Sequence, residues 1–479
     1  MFISRILEPF IPRSLISEEL SGLYGSQVLR ELGEINKFYE IYKNGMEFPS
    51  EGNIDYIPSD MRFKKTKTLI DKEARFMFSK RPDFIVKAKN TADTDKISAL
   101  QSFVNEVIQK NNFERRLITA ARDCFVGRRV ALLCNTDDNT GEILLRFSPS
   151  QEFIYETDSA DHLTKIVFFY QTNDRSERTE QRIFKKKYRM SEGMCLVSEA
   201  LYDGCGSLIR EITPERDTEL GYIPAAVIIN DGLTGDMHGE SDVEVIADYE
   251  RWYSKLAAAD MDAERQGMNP IRYTIDVSSE STENLSLAAG AFWDLSTDNV
   301  TRDNANGKVG ILENNMSYSG ALSTTLDRLR DSMYEQLDIP CVSTEAMKGM
   351  ITSGKTLKAI YWGLIVRCDE KFLAWRPALE FMVKCIIDSA RKYPNVVRFY
   401  DEKPLPDIPY IVTVENQYPL PEDESDEKAN DISEVGAKVR SVKSYLKKWE
   451  SLTDEGAEAE IQQIAKEQRI FEESYGLEV

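Results

Sequence analysis

Residues 349–356, GMITSGKT, match a phosphate-binding pattern, G-x-x-x-x-G-K-[ST]. Gly349, Gly354, Lys355 and Thr356 fill its defined positions. In a true phosphate-binding loop, backbone N–H groups surround the phosphates, the lysine contacts the β- and γ-phosphates, and the hydroxyl binds Mg²⁺. By itself, this motif predicts nucleotide binding.

The surrounding sequence does not favour a nucleotide-binding fold. A phosphate-binding loop follows a buried strand and begins a moderate helix within a parallel sheet. The preceding residues, 338–348, contain no run of four apolar residues, and the predicted helix that follows extends over 355–390. We interpret the match as accidental. A P-loop ATPase that uses Gly349–Thr356, similar to a packaging motor, remains the alternative.

Composition narrows the function classes further. The 479 residues carry a net charge of −21, whereas a protein that coats nucleic acid should have a basic face. At roughly 100–200 residues per domain, this length predicts two to four domains. Seven cysteines without CxxC spacing and two isolated histidines disfavour zinc and histidine-based catalysis, so we expect no catalytic residue, metal or cofactor. We also expect no signal peptide and no transmembrane helix.

The first half of the chain has an α+β pattern. Helices are predicted over 17–46, 61–79 and 95–126, with a possible break at Asn111–Asn112. Short strands then follow one another from VALLCN to IPAAVIIN, linked by turns and without intervening helices. This order predicts an antiparallel sheet and one α+β domain over residues 1–238.

A long amphipathic helix is predicted next, within residues 239–268. Ser241 and Glu244 have the spacing of a capping box, and Asn269–Pro270 end the helix. Such a helix is a rod of roughly 40 Å. Its acidic residues are predicted to share one face, which is either solvated or functional: Asp242, Asp248, Asp260, Asp262 and Glu264.

The rest of the chain alternates helices with small irregular parts. Strand-like ends bracket a polar insert at 270–312, and a second amphipathic helix is predicted over 317–337. The predicted helix 355–390 has an apolar stripe that continues past Pro377, so we predict a kink there and not a stop. A strand at 406–415, an acidic linker and two last helices complete the order.

This order resembles the portal proteins of tailed bacteriophages, particularly the type found in phages of Gram-positive hosts. The resemblance covers most of the chain from Gly239 onwards. The segments that carry it are GESDVEVIADYERWYSKLAAADMDAERQGMNP, MKGMITSGKTLKAIYWGL, ENQYPLPEDESDEKAND and VRSVKSYLKKWESLTDEGAEAEIQQIAKEQ.

The resemblance implies a division of the chain into parts. These are an α+β wing with an antiparallel sheet (1–238), a first stem helix (239–268), a small clip (269–316), a second stem helix (317–337), a tunnel loop (338–354), a very long kinked wing helix with a strand (355–421) and a helical crown (422–479). The fold class would be α+β throughout.

The resemblance also implies a structural and non-enzymatic function. The portal is a ring, usually of twelve subunits, at one vertex of the capsid, and double-stranded DNA is packaged and ejected through its channel. Its implied partners are the terminase, head completion or adaptor proteins, and capsid and scaffolding proteins, with no membrane. The implied location is the virion, with assembly in the host cytoplasm. A helical scaffold that binds only proteins is a further alternative.

Two groups of residues become candidates for the channel wall. A channel in which DNA slides is expected to repel phosphate over most of its wall and to attract it at few points. The candidates in and near the tunnel loop are Met347, Lys348, Met350, Ile351, Lys355 and Lys358. The candidates for a repelling stem surface are Asp248, Asp260 and Glu264.

Overall fold

Helices and antiparallel strands make up the computed structural model of the protein. The structure describes residues 11–20, 22–47, 58–89, 94–137, 140–172, 182–233, 238–268, 271–275, 277–278, 295, 308–312, 316–342, 354–397, 404–420, 424–450 and 452–475. The chain divides into two compact units. The first comprises residues 1–341 and 364–418, and the second comprises 342–363 and 419–479.

The helices of the first unit belong to both halves of the chain. They are α1 (Arg13–Glu19), α2 (Gly22–Asn44), α3 (Lys65–Phe78), α4 (Thr94–Lys110), α5 (Phe113–Gly127), α6 (Asp242–Met268) and α7 (Ser319–Gln336). Two further helices follow in the chain, α8 (Gly354–Ile360) and α9 (Trp362–Lys392). From Leu364 onwards, α9 lies in the first unit.

The described strands pair only in antiparallel sheets. They are β1 (Asp83–Ala88), β2 (Arg129–Thr136), β3 (Ile143–Pro149), β4 (Phe153–Thr157), β5 (Leu163–Thr172), β6 (Arg182–Ser191), β7 (Met194–Asp203), β8 (Leu208–Asp217), β9 (Ala225–Ile229), β10 (Ile271–Ile275), β11 (Lys308–Leu312) and β12 (Tyr410–Glu415). The sheet orders are β3-β2-β9, β4-β5-β6-β7-β8, β10-β11 and β1-β12. The predicted antiparallel sheet and α+β class are confirmed at this level.

Burial explains why these strands differ in pattern. The first six residues of β2 are buried, since β2 lies between β3 and β9 and also packs against α5. The exposed residues of β8 reflect its place at the edge of the five-stranded sheet. Aromatic and aliphatic side chains of β4, β5 and β6, including Phe153, Phe168 and Tyr188, form a common core with residues of β2. The core of this region is therefore built between sheets.

The break between two of the predicted helices is held by a buried side chain. The possible break between α4 and α5 is confirmed, and the buried Asn111 lies at it. Its amide nitrogen donates to the carbonyl oxygens of Val107 (2.9 Å) and Ile143 (2.8 Å). These bonds tie the end of α4 to β3, so the break is held by tertiary contacts.

The single helix predicted over 355–390 is wrong, because α8 and α9 are separate helices. A turn at Tyr361 divides them. The residues around the turn, Ile-Tyr-Trp-Gly at 360–363, all have weaker helix propensity than alanine or leucine, which makes this the weakest point of the predicted helix. By contrast, α9 continues through Pro377 without a stop, as predicted. A kink at this residue stays a prediction.

The second unit contains α8 and a group of C-terminal helices. The latter are α10 (Glu424–Gly436), α11 (Val442–Trp449) and α12 (Asp454–Tyr475). Asp431 of α10 accepts hydrogen bonds from Lys448 Nζ (2.9 Å) and Trp449 Nε1 (2.7 Å) and pairs with Arg440. The hydrogen bonds from Lys448 and Trp449 lower the pKa of Asp431. One carboxylate thus connects α10 to α11.

Candidate channel surfaces

The N-terminus of α6 is fixed by polar contacts that begin at Ser241. The Ser241 hydroxyl donates to the carbonyl oxygen of Val126 (2.7 Å) and accepts from the Val243 N–H (3.2 Å). The Glu244 carboxylate lies 3.2 Å from Nη2 of Arg128. Ser241 therefore caps α6 as predicted. In addition, Ser241 and Glu244 both bind residues near the C-terminal end of α5.

A row of buried residues spaced by four runs along α6. Its members are Asp242, Ile246, Glu250, Ser254, Ala258 and Asp262. Neighbours four apart lie about 40° apart around a helix, so this row winds slowly around α6. The winding row allows one helix to contact several segments of the chain in turn.

Two carboxylates of this row hold the segment that leads into α3. Glu250 accepts from the backbone N–H of Thr66 (2.8 Å) at the start of α3, where helix N–H groups need partners. Asp262 accepts from the N–H (3.1 Å) and the hydroxyl (2.7 Å) of Ser59. Burial raises the pKa of Glu250. Asp262, which the sequence pattern placed on a shared acidic face, is therefore buried and connects α6 to the segment before α3.

Asp242 begins α6 within a group of four charges, of which three are buried and Arg367 is partly exposed. Its carboxylate oxygens bind Arg367 Nη2 (2.9 Å) and Lys371 Nζ, both on α9. Glu73 of α3 binds Arg367 Nε (2.9 Å) and Lys371 Nζ (2.8 Å). Burial opposes the charge of Lys371, but Asp242 and Glu73 outweigh it and raise its pKa. The four charges join α3, α6 and α9 at one point.

Sequence reasoning missed this group of charges, although a signal for it was present. Arg367 and Lys371 are four apart in α9 and lie among residues that the apolar stripe already marked as core, such as Cys368 and Phe372. Two cations at helical spacing within a core stripe indicate buried anions opposite them. The sequence did not indicate which carboxylates these are.

The three acidic residues proposed for the channel wall do not share one face. Asp248 and Glu264 are exposed, and Asp260 is half-buried near Tyr318. At 100° per residue, Asp260 and Glu264 lie about 40° apart around α6, whereas Asp248 lies about 120–160° from them. The structure therefore brings Asp260 and Glu264 together on one side of α6. A role for any of the three in lining a channel stays a prediction.

The proposed DNA-facing residues lie mostly outside the described residues. This holds for Met347, Lys348, Met350 and Ile351. Lys355 lies in the first turn of α8, and Lys358 is exposed on the same helix.

The P-loop alternative is not supported by the surroundings of the match. Among the described residues, every strand pairing is antiparallel, whereas a phosphate-binding loop belongs to a parallel sheet. The helix that begins at Gly354 has seven residues. The interpretation of the match as accidental agrees with this context.

The insert between α6 and α7 begins and ends in a two-stranded ribbon. β10 and β11 pair with Ile271 opposite Leu312, and α6 packs against α7. Several apolar residues of the ribbon are exposed, namely Tyr273, Ile275, Val309, Ile311 and Leu312. The Tyr273 ring lies across Gly310, where a Cβ atom would be 2.3 Å from the ring. These exposed apolar residues make the ribbon suited to packing against another surface.

Replacement of Asp262 tests the division of the α6 carboxylates into buried and exposed groups. We expect Asp262→Ala to lower the free energy of unfolding by about 1.5–3 kcal/mol, because the N–H and hydroxyl of Ser59 lose a charged acceptor. The matched exposed variants Asp248→Ala and Glu264→Ala should change it by about 0.5 kcal/mol or less. Urea denaturation followed by circular dichroism measures all three. Equal losses in the three variants would contradict the division.

The chain is similar to solved structures but not to any curated protein sequence. No curated protein sequence matches the chain significantly. Two similar solved structures are described as the neck of a native GTA (gene transfer agent) particle with C12 symmetry and the neck of an empty GTA particle with C6 symmetry. Both are 9% identical to this chain with a TM-score of 0.42. The first match covers 80% of this chain and 88% of the other, and the second covers 82% and 92%.

The family comparison covers nearly the whole chain. Residues 26–470 match the family described as "Phage portal protein, SPP1 Gp6-like". The resemblance inferred from the order of the helices, the insert and the linker is thereby confirmed. Among the described residues, no helix combines the length and apolar character needed to cross a membrane. The chain belongs to the SPP1 Gp6-like family of phage portal proteins.

Proposed function

We propose that this protein forms a ring-shaped channel of twelve copies at one vertex of a phage capsid. Double-stranded DNA enters the capsid through this channel during packaging and leaves through it during ejection. The observation that carries the proposal is the family match over residues 26–470. The protein acts without catalysis or a cofactor, in the host cytoplasm during assembly and then in the virion.

The proposed parts of the subunit follow the boundaries inferred from the sequence. Residues 1–238 and 355–421 form the wing, 239–268 and 317–337 the stem, and 422–479 the crown. Pairing of β1 with β12, in which Asp83 lies opposite Glu415, supports placing the strand after α9 with the N-terminal wing. The C-terminal helices α10–α12 belong to the second compact unit, which supports treating the crown as a separate part.

The clip, residues 269–316, is proposed to dock the terminase during packaging and head completion or adaptor proteins afterwards. The exposed apolar residues of the β10–β11 ribbon support a docking role, since such residues are enriched where surfaces associate. Capsid and scaffolding proteins are the proposed partners of the ring's outer parts.

The proposed channel combines repulsion with a few points of attraction. The chain carries a net charge of −21, so most of its surface repels phosphate and lets DNA slide. Asp260 and Glu264 supply negative charge on one side of α6. Lys348, Lys355 and Lys358, in and after the tunnel loop at 338–354, are proposed to contact the DNA backbone. Met347, Met350 and Ile351 would give the loop an uncharged tip.

Electron microscopy of the purified full-length protein tests the proposal directly. We expect rings with a central hole when particles are viewed along their axis, and a native mass near twelve times 54.7 kDa. Particles assembled in infected cells should carry the protein at a single vertex. Monomers under all conditions, including in assembled particles, would contradict the proposal.

A further inference from the structure

We propose that helix α12 of one copy packs against residues 438–448 of the next copy in the ring. These residues, named the basic segment below, comprise the turn after α10 and most of α11. The proposal rests on the proposed function, because it assigns a contact between neighbours in the same ring. It commits to a second copy of this chain as the occupant of both surfaces.

Most of the described part of α12 is exposed. α11 has 8 residues and α12 has 22, which at 1.5 Å per residue are lengths of about 12 and 33 Å. At the start of α12, Ala457 is buried, and Glu458 lies 2.6 Å from Lys443 of α11. Over residues 458–467, every residue except the half-buried Ile461 is exposed. α11 is therefore too short to cover more than the first turns of α12.

One side of α12 carries apolar residues at the spacing of a helix-pairing seam. Ala457, Ile461 and Ile464 are four and three residues apart, and Ile464 is 37% exposed. Alternating steps of four and three keep residues on one side of a helix. The sequence continues this spacing at three further positions: Gln468, Phe471 and Tyr475. A helix with such an apolar stripe normally buries it against another surface.

Acidic residues lie on both sides of this stripe. At 100° per residue, Glu460 and Glu467 lie about 70–90° from the midline of the stripe on one side, and Glu458 lies about 90° from it on the other. The two basic residues of α12, Lys466 and Arg469, lie about 110–170° from the midline. With seven acidic and two basic residues, α12 has a net charge of −5. The surface beside the stripe is therefore acidic.

This charge narrows the class of occupant. Two α12 helices packed side by side would place like charges along their seam, which destabilises helix pairing. Acidic side chains also repel the phosphates of DNA. The stripe therefore fits a surface that is both apolar and basic.

The basic segment has both properties. Residues 438–448, KVRSVKSYLKK, contain five basic residues and no acidic residue. Val439 is 79% exposed and Val442 is 41% exposed. Lys438 and Lys447 are exposed as well. Exposed apolar residues with cations beside them complement the apolar stripe and acidic sides of α12.

Ion pairs connect the basic segment to neighbouring parts of its own chain. Arg440 pairs with Asp431 of α10, and Lys448 lies 2.9 Å from the same carboxylate. Together with the pair formed by Lys443, these contacts hold α10, α11 and the start of α12 in place. The basic segment is therefore a fixed surface.

The stripe and the basic segment do not cover each other within one chain, since Ile464 and Val439 both remain exposed. α12 is one continuous helix, so its outer turns cannot fold back towards α11. A second copy supplies the same basic segment. Two different patches on one subunit produce the heterologous contacts that a closed ring requires.

A mixing experiment tests whether the contact joins different copies. One full-length variant carries Lys438→Glu with Lys447→Glu, and the other carries Glu460→Lys with Glu467→Lys. Each variant alone should raise the protein concentration needed for half-assembly by about threefold or more, because like charges then meet at every contact. An equal mixture should return this value to within about twofold of the wild type, since each α12 then meets an oppositely charged segment of the other variant.

Native mass spectrometry across a dilution series measures the ring fraction in this experiment. The control is Gln462→Lys, which places a lysine about 130° from the midline of the stripe and should leave assembly unchanged. A mixture that assembles no better than either variant alone would overturn the inference.

Cross-linking tests the same contact without a change of charge. In every chain used, the exposed Cys205 and Cys341 are changed to serine. Chains with Ile464→Cys and chains with Val439→Cys, when co-expressed and treated with a short bismaleimide, should give a linked dimer on a denaturing gel. Neither chain should give this dimer alone. One chain that carries both substitutions should give a ladder of linked chains.

The cross-linking outcomes separate this inference from the proposed function. Linked dimers from Ile464→Cys alone would show that α12 pairs with α12, and a link within single chains would show an internal contact. Either result, or the absence of any link, would overturn the inference while wild-type rings leave the proposed function standing. A wild-type chain that never forms rings would overturn the proposed function itself.

Discussion

Replacing Lys371 by alanine is expected to lower the free energy of unfolding by about 3–5 kcal/mol. The ammonium of Lys371 lies between Asp242 and Glu73, and its side chain is only 4% exposed. Without it, two buried carboxylates share the single remaining cation, Arg367. Urea denaturation of the purified protein, followed by circular dichroism, measures the loss.

Two variants show whether the loss arises from unpaired buried charge. Lys384→Ala removes an exposed lysine from the same helix and should change the free energy of unfolding by less than about 1 kcal/mol. Lys371→Met combined with Asp242→Asn removes one charge of each sign and should recover most of the loss, because Arg367 and Glu73 remain paired. If the combined variant were as unstable as Lys371→Ala, lost packing would explain the result instead.

Deleting residues 344–352 is expected to abolish DNA packaging while rings still form. Within the proposed channel, this segment supplies Lys348 and the uncharged side chains of Met347, Met350 and Ile351. In the proposed channel most of the wall repels phosphate, and only Lys355 and Lys358 would remain as attracting residues, so loss of the loop contacts should prevent the ring from engaging DNA. Packaged DNA is measured by nuclease protection in particles that carry the variant, and rings are counted by electron microscopy.

A substitution on the adjoining helix α8 tests the effect of one positive charge while the loop keeps its length. Lys358→Gln should reduce packaging in a salt-dependent way if the lysine contacts phosphate, since released counterions make such contacts sensitive to salt. Lys384→Gln, at an exposed lysine of α9, is the control and should package normally.

If the deletion variant forms no rings, the segment is needed for assembly and not for DNA contact. Normal packaging by the deletion variant would contradict the proposed role of the loop.

The bounds of α6 could be predicted from the sequence because the signals are local. Ser241 precedes its first residue, and Asn269–Pro270 follow its last. The order of β2 to β9 was also predictable, since alternating apolar runs and turn residues lie within short windows. By contrast, the break at Tyr361 was missed. The apolar stripe continues across it, and propensity at 360–363 is a weak signal beside that stripe.

The acidic residues of α6 show the limit of such local signals. The sequence pattern placed Asp242, Asp248 and Asp262 on one face. In the structure, Asp242 binds cations 125 and 129 residues further along the chain, Asp262 binds Ser59, and Asp248 is exposed. Whether a carboxylate faces solvent or an internal partner depends on segments far away in sequence. The sequence therefore predicts the helix that carries the candidate channel residues, but not which of these residues share an exposed face.

The sequence by itself determined the order of the helices and strands, the α+β class and the family, because each depends on patterns within about 10–30 neighbouring residues or on their succession. Only the tertiary structure decided the pairing of β1 with β12, the group of four charges that includes Lys371, and the side of α6 that remains exposed. The physical reason is that burial and charge pairing are set by contacts between segments separated by hundreds of residues. No local periodicity encodes which of several carboxylates meets a given lysine.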